Sequence, residues 1–389
     1  MARTAREPSR RRTPQKREVE VNVGTELQGH AVHDLGRLLA ALRQNLPVCI
    51  DLSDCGRFDV VALLHVLAVV AERRRRDLPT TFRLPRDSEA RDFLRKKSFP
   101  STVGYLTGTP FRFLVDDHDV RYFGESTAEP QAVPETDPSA AIIEYLSNKR
   151  FFAFRPYGIK SGSDRSTCIE TEWDHWRNPL MMRVLEGRTE TRSGGYPKDF
   201  TRVVVQEMLA SLLRNVAEGM VVTGSQISME GNIRCLTVAA WQGAITPRVN
   251  LCSRLYQHAA ERSSTQDGVL EIDANVSGTD IESYAWMTDE DRPSGLDRAG
   301  SQEGETTKSV AKPVASAVES HGSLDRSLQA LYQSVTNVFD GRLECWSGDL
   351  FAGIEKGDEK TKYRLALREV HGLALQGNII AVRIPLGHA

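Results

Sequence analysis

The sequence predicts an α/β protein of two folded units, and three observations carry that expectation. Between Val19 and about Val120, short runs with strand character alternate with helical runs. Between Arg121 and Ala140 the chain carries Pro130, Pro134 and Pro138 among Glu, Ser and Thr, the composition of an extended linker. Beyond it, a helical pattern at 200–217 is followed by alternating strands and a second helical run. A chain of 389 residues is long enough for two domains, each with its own core. The expected division is a basic tail over 1–18, a first domain over 19–120, a linker over 121–140 and a second domain over 141–389.

The tail holds Arg3, Arg6, Arg10, Arg11, Arg12, Lys16 and Arg17 against Glu7 and Glu18. A run this basic and this poor in apolar residues cannot bury a core, so a solvated, disordered tail is expected. Nucleic acid or an acidic partner would suit its charge, but neither an interleaved aromatic nor a DNA-binding motif follows it. In the first unit VEVNV alternates as a half-buried strand does, and His33 to Leu42 reads as an amphipathic helix. LPVCIDLS is a short apolar run, expected as a buried strand. FDVVALLHVLAVVAERRRR is an apolar helix whose arginines suit a C-terminus. TTFRLP is a strand closed by Pro85, and SEARDFLRKKSF is a helix with Ser88 as its expected N-cap. His65, inside the apolar helix, is expected to be a core histidine.

In the second unit RFFAFRPYGI reads as an edge strand ending near Pro156. WDHWRNPLMMRVLEG reads as a helix broken near Pro179, with Trp173, His175 and Trp176 expected as aromatic core filler in preference to a binding face. On the helix FTRVVVQEMLASLLRNVA, residues Val203, Val204, Met208, Leu209, Leu212, Leu213 and Val216 share a face, and Glu207 lies one turn before Ser211. IRCLTVAAW alternates as a strand and runs into Gln242 and Gly243. The stretch from Trp286 to Gly322 is rich in Asp, Glu, Ser and Gly, the composition of a mobile loop. LQALYQSVTNVF is helical, Asp340-Gly341 is a turn signal, and GNIIAVRIPL is a strand able to close the sheet.

Overall composition is that of a globular protein: 40% apolar, 26% charged and a net charge of −2. No apolar run reaches the roughly 18 residues of a membrane-crossing helix. The six scattered cysteines offer no metal-ligand spacing, and they are expected as reduced, buried thiols of a cytoplasmic protein.

The strand VCIDLSDCGRFD, the apolar helix after it and the block FRLPRDSEARDFLRKKSFP resemble a STAS-like domain, the fold of anti-sigma-factor antagonists. In phosphoswitch members an Asp-Ser pair opens the long helix. Asp59-Val60 stands at that position here, and Val60 has no hydroxyl. FTRVVVQEMLASLLRNVA resembles the N-box helix of the GHKL (Bergerat-fold) ATPases, an α/β sandwich. The resemblance implies ATP and Mg2+ as cofactors, with Glu207 as a water-activating base. It admits two registers for the metal ligand, Ser211 or Asn215. It further implies Gln242 and Gly243 at the adenine, Arg326 near the phosphates and a lid over about 287–322. Three departures accompany it: Ser211 interrupts the acid-Asn pair in either register, no carboxylate stands near Gln242, and the glycine-rich phosphate loop is reduced to Gly322.

Pairing a STAS-like with a GHKL-like unit implies a cytoplasmic bacterial regulatory or scaffold protein of partner-switching type. Its partner would be another protein, rather than nucleic acid or membrane, and its nucleotide site would be degenerate. The alternative is an ATP-binding enzyme, an ATPase or an anti-sigma-type serine kinase.

Overall fold

A computed structural model describes residues 18–27, 44–108, 113–115, 118–120, 138–186, 200–213, 218–244, 250–255, 269–275, 327–357, 361–369 and 375–388. The protein is α/β. The first sheet has five strands in the order β1-β3-β5-β6-β7: β1 (Val19–Asn22), β3 (Val48–Asp51), β5 (Thr80–Arg83), β6 (Phe113–Val115) and β7 (His118–Val120). All neighbours are parallel except β6 and β7. Two short strands, β2 (Glu26–Leu27) and β4 (Arg57–Phe58), pair in parallel beside it.

Helix α1 (Val60–Arg75) follows β4, and the carboxylate of Asp59 caps it by accepting from the Val61 amide at 2.6 Å. From Val60 to Val70 the helix carries no charge and every residue is buried. A helix apolar on all sides needs apolar neighbours on all sides. At its C-terminus the buried Arg73 guanidinium donates to the carbonyls of Gln44, Leu46 and Pro79 at 3.0, 2.6 and 3.0 Å. Helices α2 (Ser88–Lys96) and α3 (Phe99–Thr107) complete this part. The N-cap of α2 is Asp87, which accepts from the Ala90 amide, so the expected Ser88 is already the first helical residue.

The second sheet has eight strands in the order β11-β14-β13-β12-β15-β10-β9-β8. These are β8 (Arg155–Ile159), β9 (Gly219–Glu230), β10 (Ile233–Ala244), β11 (Val269–Asn275), β12 (Arg342–Gly348), β13 (Leu350–Lys356), β14 (Thr361–Glu369) and β15 (Leu375–His388). Strand β15, expected to close the sheet, instead lies in its middle between β12 and β10. The edge strand β8 runs through Pro156, which pairs with Val222, rather than stopping there. An edge tolerates the proline because its missing N–H would have faced away from the sheet.

Strand alternation gives this sheet two buried faces. Leu236, Val238 and Ala240 of β10, with Ile380 and Val382 of β15, join the core beneath the helices. Those helices are α4 (Pro138–Asn148), α5 (Gly162–Trp176), α6 (Pro179–Glu186), a π-helix (Thr201–Glu207) running into α7 (Met208–Leu213), and residues 327–337. Helix α4 opens at Pro138, inside the stretch expected as linker, and proline suits a first helical turn. The opposite face presents Ala239, Trp241, Trp346, Ile379 and Ala381 to α1. Helix α1 is thereby covered by the five-stranded sheet on one side and the eight-stranded sheet on the other, and the two units expected as domains meet along it.

His65 sits at the centre of this contact. Its Nδ1 faces the Val61 carbonyl at 2.9 Å, its ring stands edge-on to Trp346 at 5.3 Å, and its buried Nε2 has no hydrogen-bond partner. Burial pushes its pKa down to about 4 from 6.5, against a small opposing pull from the Val61 carbonyl and Asp59. The unfolded chain therefore takes up the proton first as pH falls. Stability is intact above pH 6.5 and declines towards pH 4, by about 3 kcal/mol for a shift of this size. Urea unfolding across that range should show the decline for wild type and a shallower one for His65→Leu.

Candidate functional site

Of the expected nucleotide residues, Glu207, Ser211 and Gln242 belong to the helix-covered side of the eight-stranded sheet. Glu207 ends the π-helix and is half-buried. Ser211 follows one α-turn later, buried, and its hydroxyl donates to the Glu207 carbonyl at 2.7 Å. Asn215 and Arg326 lie outside the described residues, as do the lid expected over 287–322 and the helix expected over 33–42.

Gln242 is buried within β10, in register with Asn378 of β15, which in turn faces Ser347 of β12. These three side chains form a row across the strands. Asn378 Nδ2 donates to Gln242 Oε1 at 3.1 Å, and the Ser347 hydroxyl bonds Asn378 Oδ1. Ser347 Oγ then accepts from the Leu251 amide at 3.2 Å, at the start of the helix over 251–255, which Asn250 caps. Gly243 makes room for Trp241, whose ring a Cβ there would meet at 2.5 Å. Gly377, with φ +92°, lets β15 approach so closely that a Cβ would lie 1.8 Å from the Gln242 carbonyl oxygen. The Ser211 hydroxyl and the Gln242 amide oxygen are thus each engaged by the fold itself. Among the described residues no group of three or more His, Cys, Asp or Glu could hold a metal ion.

Glu172 of α5 is fixed by three side chains from two strands. Arg155 of β8 grips it through two bonds of 2.7 Å, Tyr157 donates at 2.7 Å and Thr223 of β9 at 2.6 Å. Burial would raise the carboxyl pKa, yet the Arg155 charge and these donors hold it down to about 2.

On the opposite face, where α1 meets the sheet, a cleft of about 1170 Å³ opens between the two units. Phe58, Phe93, Met229 and Ile233 supply apolar lining, and Phe58 and Phe93 stack at 6.2 Å. The floor is ionic. Arg383 of β15 reaches Glu344 Oε2 at 2.9 Å, Asp59 Oδ2 at 3.0 Å and Glu230 Oε1 at 3.5 Å. Arg342 takes the other oxygen of Glu344 at 3.1 Å. Burial works against the Arg383 charge, but Glu344 and Asp59 outweigh it and hold the guanidinium protonated. Gln226 completes the seam, accepting from the Val60 amide at 2.9 Å. The same junction buries Lys97, which donates to the Phe152 carbonyl at 3.2 Å and to that of Ser225. Burial, reinforced by Arg155 and opposed by Asp59, lowers its pKa to about 7.

The cleft was missed by sequence reasoning because its residues come from distant stretches: Asp59 and Arg383 are 324 positions apart. The local signal was the capping carboxylate before a helix that is uncharged from Val60 to Val70. The chain matches no protein-family model, no curated protein and no solved structure.

Proposed function

We propose that this chain is a regulatory or scaffold protein that acts by contact with another protein, and that the cleft between its two sheets is the contact surface. The carrying observation is the contrast between the two faces of the eight-stranded sheet. On the helix side, Ser211 and Gln242 are buried and engaged by the fold itself. On the α1 side, a large cleft exposes both apolar and charged groups from both units, with Met229 and Ile233 among the exposed large hydrophobics. The resemblance of 19–120 to STAS-like antagonists and of 141–389 to GHKL ATPases fits this reading, since proteins of those two kinds regulate one another by docking. The position matching the phosphoswitch serine is Val60, fully buried against the second sheet beside Gly224. A phosphate switch at that residue is excluded by its side chain.

The second reading, an ATPase or serine kinase using Glu207 with Mg2+ and ATP, is favoured by the position of Glu207 in a π-helical turn, a geometry frequent at functional sites. An ADP-release assay, which registers both hydrolysis and phosphoryl transfer, separates the two. Regulation by contact predicts no release above buffer from the wild-type chain. Steady turnover that disappears in Glu207→Ala would establish the enzyme.

A further inference from the structure

The cleft is acidic. Six carboxylates line it, Asp59, Glu89, Glu230, Asp340, Glu344 and Glu355, against the four cationic side chains Arg57, Arg342, Lys356 and Arg383. Its lining therefore carries a net charge of −2, and several of its acids lie on the rim: Glu89 is exposed, and the Glu230 side chain is half-exposed. Met229 and Ile233 lie on the same rim, and exposed apolar groups beside carboxylates suit arginine, whose stem is apolar and whose head is cationic. The chain carries such a ligand. Residues 1–17, which lie outside the described residues, hold seven Arg or Lys and one Glu.

Reach selects part of that segment. Strand β1 begins beside the C-terminal end of α1: the Val19 amide bonds the Pro47 carbonyl, and Arg73 bonds the neighbouring Leu46. The cleft lies at the other end of α1, at Asp59. Sixteen helical residues separate the two ends, about 24 Å at 1.5 Å each. An extended chain covers roughly 3.3 Å per residue, so about six to eight residues return it from Glu18 to the cleft. That count lands on Arg10, Arg11 and Arg12.

We infer that the acidic cleft is the docking site of the chain's own basic segment 1–17, with Arg10–Arg12 seated among Glu89, Glu230 and the Asp59–Arg383 seam. The inference rests on the cleft being the contact surface proposed above, and it makes the segment an internal occupant that a protein partner must displace. Tethering gives the segment an effective concentration of the order of millimolar, enough to fill a site of micromolar affinity.

The test uses the full chain in two forms, wild type and a triple variant Arg10→Gln, Arg11→Gln and Arg12→Gln. A fluorescein-labelled synthetic peptide of residues 1–17 is titrated against each at low salt, and anisotropy reports binding. The peptide should bind the triple variant saturably and wild type about a thousandfold more weakly, because the tethered copy competes. Adding Glu89→Gln and Glu230→Gln to the triple variant should weaken the peptide by about tenfold or more, at two exposed positions whose loss leaves the fold intact. Equal binding to wild type and triple variant overturns self-docking, as does indifference to the two glutamates. ADP release in the assay above would instead count against the contact reading, so the two failures are distinguishable.

Discussion

Arg383→Met should unfold at a distinctly lower urea concentration than wild type, with a loss of about 3–5 kcal/mol. The arginine side chain is 10% exposed, and Glu344, its nearest partner, is 1% exposed. Removing the guanidinium strands Asp59 and Glu344 in a mostly buried seam at the floor of the cleft, and only Arg342 remains on Glu344. The cost comes from the stranded charges more than from lost attraction, so a second change should recover part of it. In the Arg383→Met background, Glu344→Gln should restore more than about 1 kcal/mol, because it removes the buried charge the first change stranded. Midpoints at constant slope, read for both single variants and the double, give that coupling directly. A loss below about 1 kcal/mol for Arg383→Met would mean the seam is wet and the two units are held by apolar packing alone.

A loss of similar size is expected for Glu172→Gln, which keeps the shape and removes the charge. Arg155, bonded to both Glu172 oxygens, would keep a guanidinium with no counter-charge at that site, at a cost of about 3–5 kcal/mol. The pH dependence identifies the cause. A carboxyl held down to about 2 from 4.5 contributes stability that is fully present above pH 4.5 and lost as pH falls towards 2. Wild type and Glu172→Gln should therefore differ most near neutrality and converge in acid. A difference that stays constant from pH 7 to the acid limit would assign the effect to packing instead.

Local pattern made much of the fold legible. Continuous apolar runs gave β3 and α1, alternation gave β10 and β15, and Pro179 broke α5 from α6 where expected. Val60 to Val70 has no polar face, which signals a helix buried on both sides and hence an intimate contact between the two units. Strands β9, β11 and β14 were passed over; Thr, Ser and Gln are frequent in β9, which blurs its alternation. The π-turn before Met208 was not legible either, because apolar spacing near four residues fits both helix types.

The candidate sites were less legible for a definite reason. Whether Gln242 meets a ligand or Asn378 depends on a pairing between residues 136 positions apart. Whether Ser211 points outward or bonds the carbonyl four residues back depends on how deeply its helix is buried. The first partner is remote in sequence, and the second choice is set by tertiary burial and not by the neighbouring residues.

On the contact reading, the helix side of the eight-stranded sheet holds the fold and binds no nucleotide. Titration calorimetry of the full chain with Mg-ATP decides the point. No saturable heat is expected up to millimolar nucleotide, for wild type and for Glu207→Ala alike. Saturable binding tighter than about 100 μM, about −5.5 kcal/mol, and weakened in Asn215→Ala would contradict it and restore an ATP site to this face.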